Sequence, residues 1–278
     1  MRLSVLTIVK DRPGHLAQLI EGLGRSGIMP DELIVVDMGS EPPVAVGQLP
    51  FPGRVVRMGC AGLPLAAARN AAARAASGDT LLFLDVDCIP TRGLVGAYRA
   101  VLAAQDALVC AQVLYLGPED ARGNWDEAEL IKSAVSHPAR RFPSAGVRAE
   151  ENPGLFWSLV FGISTKRFFE FGGFDEEFEG YGAEDTDFGF RCKAGGLPLL
   201  FMSGPGAFHQ HHATFDPPIQ HLADIVRNAS TFHRKWGIWP MEGWLAAFAE
   251  MGLIAWSANA IFLLRSATSE EMTLARVY

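Results

Sequence analysis

A chain of 278 residues, set against about 150 for a typical domain, makes room for one large α/β domain or two small ones. With 49% hydrophobic, 20% charged and 10% aromatic residues and a mean hydropathy of +0.15, the composition is globular and excludes wholesale disorder or a fibrous repeat. Its 24 lysines and arginines against 31 aspartates and glutamates leave a net charge of −7, and no dense basic run is present to neutralise phosphates, which argues against nucleic acid as a partner.

Leu3 to Val9 is a β-rich run of strand length, and residues 14–25 then place Leu16, Leu19, Ile20 and Leu23 at helical spacing. Glu32 to Asp37 is a short buried strand ending in a carboxylate, and Arg54 to Met58 is a weaker third. The alanine-rich stretch Leu63 to Ser77 is intrinsically helical and stops at Gly78. Thr80 to Leu84 is the most continuous buried strand, followed by Asp85-Val86-Asp87. Strands alternating with helices of this length predict βαβ units and a mostly parallel sheet flanked by helices. The first residues, up to about 115, read as a nucleotide-binding half.

From Gly117 to Gly154 the apolar periodicity fades among Pro118, Pro138, Pro143 and Pro153, and a basic cluster stands at Arg140, Arg141 and Arg148. Residues 116–154 are read as a loop or lid. Phe156 to Ser164 resumes a strand, Glu184 to Ala194 a helix and Leu197 to Phe201 a short strand, so residues 155–215 form the second half of the same domain. The remainder, 216–278, is expected to be helical: Ile219 to Trp236 is amphipathic, and Trp244 to Leu264 is strongly apolar. Glu250 and Asn259 interrupt that last run, which is read as a helix packed on the body, with a peripheral membrane contact as the alternative. Cys60, Cys88, Cys110 and Cys192 form no CxxC pair and are expected to be reduced and mostly buried. With no order of n-region, h-region and cleavage site after Met1, a cytoplasmic location is expected.

Three blocks carry chemistry. Asp85 and Asp87 lie at the carboxyl end of a strand, where open α/β sheets bind ligands, and two adjacent carboxylates are tolerable around a hard divalent cation. In Gly180-Tyr181-Gly182-Ala183-Glu184-Asp185, the acidic pair falls in the first turn of a helix, where exposed N–H groups stabilise anions. Asp187 is read as structural, pairing with Arg191 at i+4. His209, His211 and His212 follow, and a strand would place His209 and His211 on one face; one of the three is expected to meet a metal.

In this order the blocks resemble a GT-A-fold glycosyltransferase of the family 2 type with a β-1,4-galactosyltransferase-like carboxyl half. Lys10-Asp11-Arg12-Pro13-Gly14-His15-Leu16 resembles the opening Arg-Asn-Arg-x-x-His-Leu of those galactosyltransferases. Asp37-Met38-Gly39-Ser40 resembles the segment that contacts uracil or ribose, Ala68-Arg69-Asn70 the one facing the diphosphate, and Asp85-Val86-Asp87 the metal-binding DxD. Gly182-Ala183-Glu184-Asp185 resembles the acceptor and base motif, and Phe208-His209-Gln210 a segment whose histidine completes the metal site. Lys10, Asp11, Tyr181 and Thr186 depart from the usual residues, and Leu159 stands where a tyrosine crowds the donor's 2-position, which implies room for an N-acetyl group.

The resemblance implies an inverting transfer of a hexose or N-acetylhexosamine from a UDP-sugar to a hydroxyl of a carbohydrate or glycoconjugate acceptor. Asp185 would be the base and Glu184 would orient hydroxyls. Lys10, Arg12, Asp37, Arg69, Asp85 and Tyr181 would bind the donor, and Asp85, Asp87 and His209 would hold Mn²⁺ or Mg²⁺. A noncatalytic nucleotide-sugar or glycan-binding protein and a sugar nucleotidyltransferase are the alternatives, the latter short of the glycine-rich loop it needs.

Overall fold

A computed structural model describes residues 1–59 and 62–277. β1 (Leu3–Val9) is buried at all seven positions, as a strand covered on both faces must be. It leads into α1 (Pro13–Gly24), whose proline sits in the first turn, where no N–H is required. β2 (Glu32–Asp37), β3 (Gly53–Arg57), α2 (Leu65–Ala75) and β4 (Thr80–Leu84) follow. Next come β5 (Cys88–Pro90), α3 (Leu94–Ala104) and β6 (Leu108–Tyr115). α3 and β6 fall in a stretch where local periodicity predicts no element, although Leu108–Tyr115 is as apolar as β4.

The segment 116–154, expected from the sequence to be a loop or lid, carries α4 (Glu127–Ser133), β7 (Val135–Ser136) and β8 (Val147–Glu150). α4 is too short for apolar periodicity to reveal it, but its cap is legible: Asp126 accepts the Ala128 N–H. Then come β9 (Val160–Ser164), α5 (Thr165–Glu170), α6 (Glu184–Ala194), β10 (Leu199–His209) and β11 (Thr214–Phe215). The chain ends in α7 (Leu222–Trp236), α8 (Glu242–Glu250), β12 (Ile254–Trp256), β13 (Ile261–Leu263), α9 (Ser269–Leu274) and β14 (Arg276–Val277).

The main sheet runs β3-β2-β1-β4-β9-β6-β10-β5. β3, β2, β1 and β4 are parallel and β10 is parallel to β6, while β9 lies antiparallel between β4 and β6. The fold is therefore α/β with a mostly parallel sheet flanked by helices. Alternating side chains feed two cores: Leu3 and Val5 pack beside Leu16 and Leu19 of α1 on one face, and Leu6 and Ile8 beside Ala68 and Ala72 of α2 on the other. Register then gathers the motifs. Val9 pairs with Asp37, Leu84 with Val160, and His209 with both Cys88 and Tyr115, so the chain ends of β1, β2, β4 and β10 and the entry to β9 share one edge.

The apolar run Trp244 to Leu264 is not one helix. Gly252, at φ +66°, ends α8, and the chain turns back through Ser257, whose N–H reaches the Ala260 carbonyl, into the β12–β13 hairpin. No helix among the described residues is long and apolar enough to cross a membrane. Cys88, Cys110 and Cys192 are buried free thiols, as expected; Cys60 lies outside the described residues.

Candidate active site

Asp87 sits just past β4, buried, with its carboxylate surrounded by cationic and imidazole groups. Oδ2 pairs with Arg12 and lies 3.3 Å from His212 Nε2; Oδ1 is 3.9 Å from His15 Nε2 and has no hydrogen-bond partner. The β5–β10 pairing carries His209 alongside, and the Gln210 N–H donates to the Asp87 carbonyl at 2.7 Å. Ligand atoms of Asp87, His209 and His212 all lie within 4.8 Å of one another. The His209 ring stacks on Tyr115 at 4.9 Å, its register neighbour.

Electrostatics sort these groups. Burial pushes the His209 imidazole down to about 4, leaving it neutral with a free lone pair. A hydrogen bond to Asp87 pulls His212 upward. Burial alone would raise Asp87, but His212 and Arg12 outweigh it and hold the carboxyl well below the usual range. Asp85 is pushed up to about 6, first by burial and then by the Asp87 charge. A neutral imidazole beside a carboxylate whose buried Oδ1 lacks a partner is a donor set that fits a divalent cation. Asp85 stands outside that group of three, and His212, which strand alternation disfavours, stands within it.

The second acidic motif is aimed by its glycines. Gly180 (φ +74°), Gly182 (φ +99°) and Ala183 (φ +70°) turn the chain tightly into α6. Glu184 accepts from Arg69 Nη1 at 2.9 Å, with only 6% and 7% of the two side chains exposed, and its Oε2 is buried without a partner. Asp185 accepts from the Thr186 N–H at 2.7 Å and the Ser158 N–H at 3.3 Å. Burial, then the neighbouring Glu184 charge, pushes its carboxyl up to about 6.

The residue after Ser158 completes a link: the Asp85 N–H donates to the Leu159 carbonyl at 2.7 Å. The dipeptide entering β9 thus ties the two acidic motifs together, and the Arg69 guanidinium lowers both Asp85 and Asp185. Asp187 is buried and pairs with Arg191 at 2.7 Å, as expected, and also receives Trp236 Nε1 at 3.0 Å and Lys235 Nζ at 2.7 Å.

The remaining candidates are placed as follows. Tyr181 is half-buried beside Glu184, Asp185 and Asp85, whose charges, after burial, raise its phenol. Lys10 Nζ reaches across to the Gly62 carbonyl at 2.8 Å. Asp37 is fully buried and spends its carboxylate on the Ser40 and Val44 N–H groups, so it shapes the loop after β2. Local pattern reading misses His15, Tyr115 and Arg140. His15 stands in the opening motif and Arg140 in the basic cluster of the 116–154 segment, neither with a role assigned to it from the sequence; Tyr115, at the end of β6, carries no signal of its own. Arg140 is 5% exposed, its guanidinium 4.9–5.1 Å from the rings of Phe142, Trp157 and Phe201.

This arrangement defines a GT-A-type glycosyltransferase fold. The family model described as "Glycosyl transferase family 2" matches residues 4–178, and the chain belongs to that family. A curated relative, validoxylamine A glucosyltransferase of Streptomyces hygroscopicus subsp. jinggangensis, is 26% identical over 194 residues, covering 63% of this chain and 45% of the relative. Hyaluronan synthase of Pasteurella multocida is 28% identical over 241 residues, covering 75% of this chain and 24% of the relative. The chain thus spans less than half the length of these relatives. Among solved structures, S. aureus TarS 1-349 superposes with a TM-score of 0.55 at 15% identity, over 82% of this chain and 64% of that one. GalNAc-T7 with UDP, GalNAc and Mn²⁺ does so with 0.56 at 18% identity, over 76% and 43%.

Proposed function

We propose that the chain moves a hexose or N-acetylhexosamine from a UDP-sugar to a hydroxyl of a carbohydrate or glycoconjugate, with inversion at the anomeric carbon. The Ser158–Leu159 link carries this reading, because it holds a recessed carboxylate, Asp185, next to the strand-end aspartates. Asp185 takes the acceptor O–H proton as the acceptor oxygen bonds to C1, and the bond from C1 to the UDP oxygen breaks on the opposite face. Its raised carboxyl is suited to this, since a base works best with a pKa near the operating pH. Glu184, held by Arg69, orients sugar hydroxyls. Arg12, Lys10 and Arg69 line the approach of the diphosphate, and Asp37 holds the loop against which the uridine lies. Asp87, His209 and His212, with Asp85 beside them, are the residues to hold Mn²⁺ or Mg²⁺, which when bound neutralises charge on the leaving diphosphate.

The β-1,4-galactosyltransferase-like carboxyl half, the cytoplasmic location and a peripheral membrane contact through the C-terminal segment belong to the same reading. The test is UDP release from UDP-Gal, UDP-GalNAc, UDP-Glc and UDP-GlcNAc with and without Mn²⁺. Mn²⁺-dependent release from at least one donor is expected. UDP-sugar binding with no release across an acceptor panel would replace the reading with a binding protein, and pyrophosphate formation from a nucleoside triphosphate and a sugar phosphate with a nucleotidyltransferase.

A further inference from the structure

Two arginines are buried among the described residues, Arg69 at 6% exposure and Arg140 at 5%. Arg69 is balanced by Glu184, whereas no carboxylate among the described residues pairs with Arg140, and its Nε and Nη2 are buried without a hydrogen-bond partner. Glu150, the nearest acidic neighbour in sequence, is already paired with Arg148 at 3.0 Å. The rings of Phe142, Trp157 and Phe201 face the guanidinium but supply no lone pair to its in-plane N–H groups. Arg140 also donates to the Cys110 sulfur, yet burial pushes that thiol up to about 11, and burial takes the Tyr115 phenol up to about 12. Neither therefore ionises to balance the arginine, and an unpaired buried charge is costly.

Arg140 lines a small cavity together with Gln112, Tyr115, Ser136, His137 and Phe142, and no acidic side chain is in its wall. Gln112 Nε2 donates one hydrogen to Ser136 Oγ at 3.3 Å and keeps a second. The cavity has room for little more than one water-sized particle, which excludes a sugar, a nucleotide or a phosphate group. A water there would meet the N–H groups and leave the charge standing. We infer that the cavity binds one small monovalent anion of chloride size, held by Arg140 Nε and Nη2 with Gln112 and Ser136 beside it. Ser136 is exposed, so the ion has a route from solvent. Tyr115, in the cavity wall, is also the ring stacked on His209, so an occupied cavity would steady the ring that supports that imidazole.

The experiment follows thermal unfolding of the full chain at constant ionic strength as sodium gluconate is replaced by sodium chloride, bromide or formate. Chloride and bromide are expected to raise the melting temperature of the parent saturably, by roughly 3–6 °C at about 0.2 M, because the ion binds only the folded chain. Arg140→Met removes the lone charge, and Gln112→Glu supplies a carboxylate in the cavity wall. Both variants are expected to lose the halide response and to melt at or above the parent in gluconate. Reading the parent's response against theirs cancels the general effect of salt. Crystals grown in bromide are expected to scatter anomalously beside Arg140. A parent that melts alike in gluconate and chloride would overturn the inference and leave the cavity to water, as would crystals with no bromide there. A halide response that persists in folded Arg140→Met, or in Gln112→Glu should the first variant not fold, counts equally against it. Stabilisation by formate and not by chloride would also sink it, and would assign the guanidinium to a carboxylate-bearing ligand.

Discussion

Removing the Arg69 guanidinium tests the centre of the site most directly. Arg69 and Glu184 are 7% and 6% exposed and 2.9 Å apart, so water screens neither charge. Unit charges about 4 Å apart attract by about 4 kcal/mol at an effective dielectric of about 20. Arg69→Met leaves Glu184 charged and alone, with its second oxygen already lacking a partner, and such breakage of a buried pair costs about 3–5 kcal/mol. For a chain of this size, that lowers the melting temperature by roughly 6–20 °C. The double variant Arg69→Met/Glu184→Gln buries no lone charge and is expected to regain most of the loss, a coupling readable in a double-mutant cycle by urea unfolding.

A second readout comes from pH. Arg69 lowers the carboxyls of both Asp85 and Asp185, so its loss raises them further. Asp185 must be ionised to take a proton, hence activity rises with pH through its folded-state value of about 6, and in Arg69→Met the rise shifts to higher pH. A single variant within 1 kcal/mol of the parent, or an acid limb that does not move, would refute the reasoning.

Three further outcomes are expected. Asp185→Asn retains UDP binding by calorimetry while kcat falls on the order of 10²-fold or more, and the parent's pH–rate profile has an acid limb near 6. A chelator abolishes UDP release and Mn²⁺ or Mg²⁺ restores it; His212→Ala raises the metal concentration needed for half-maximal rate on the order of 10-fold or more, whereas His211→Ala leaves it within about twofold. Leu159→Tyr, at the carbonyl that receives the Asp85 N–H, lowers kcat/KM for N-acetylhexosamine donors relative to hexose donors by about 10-fold or more, read in the same UDP-release screen.

What the sequence reveals of this molecule divides along the range of the interactions. β1, β2 and β4 are legible because each is buried at every position, and Asp85-Val86-Asp87 because it follows the most apolar of them. The acidic pair is legible from the glycines that turn the chain into α6. The bond between Arg69 and Glu184 spans 115 positions and that between Ser158 and Asp185 spans 27, and no local period encodes either. The histidines show the boundary sharply. Alternation puts His209 and His211 on one face only while the strand continues, but β10 ends at His209. Gln210 then gives its N–H to the Asp87 carbonyl and its side chain to the His15 carbonyl, at 3.1 Å, which turns the chain and delivers His212 to Asp87.

The same holds for α7. Its amphipathic period is plain, yet Asn228 is buried because three loop carbonyls need a donor there. A polar residue buried on the packing side of a helix is costly unless its partners are met, so Asn228 marks the place where another segment must arrive. That segment is residues 179–182, and through it the C-terminal core reaches the site.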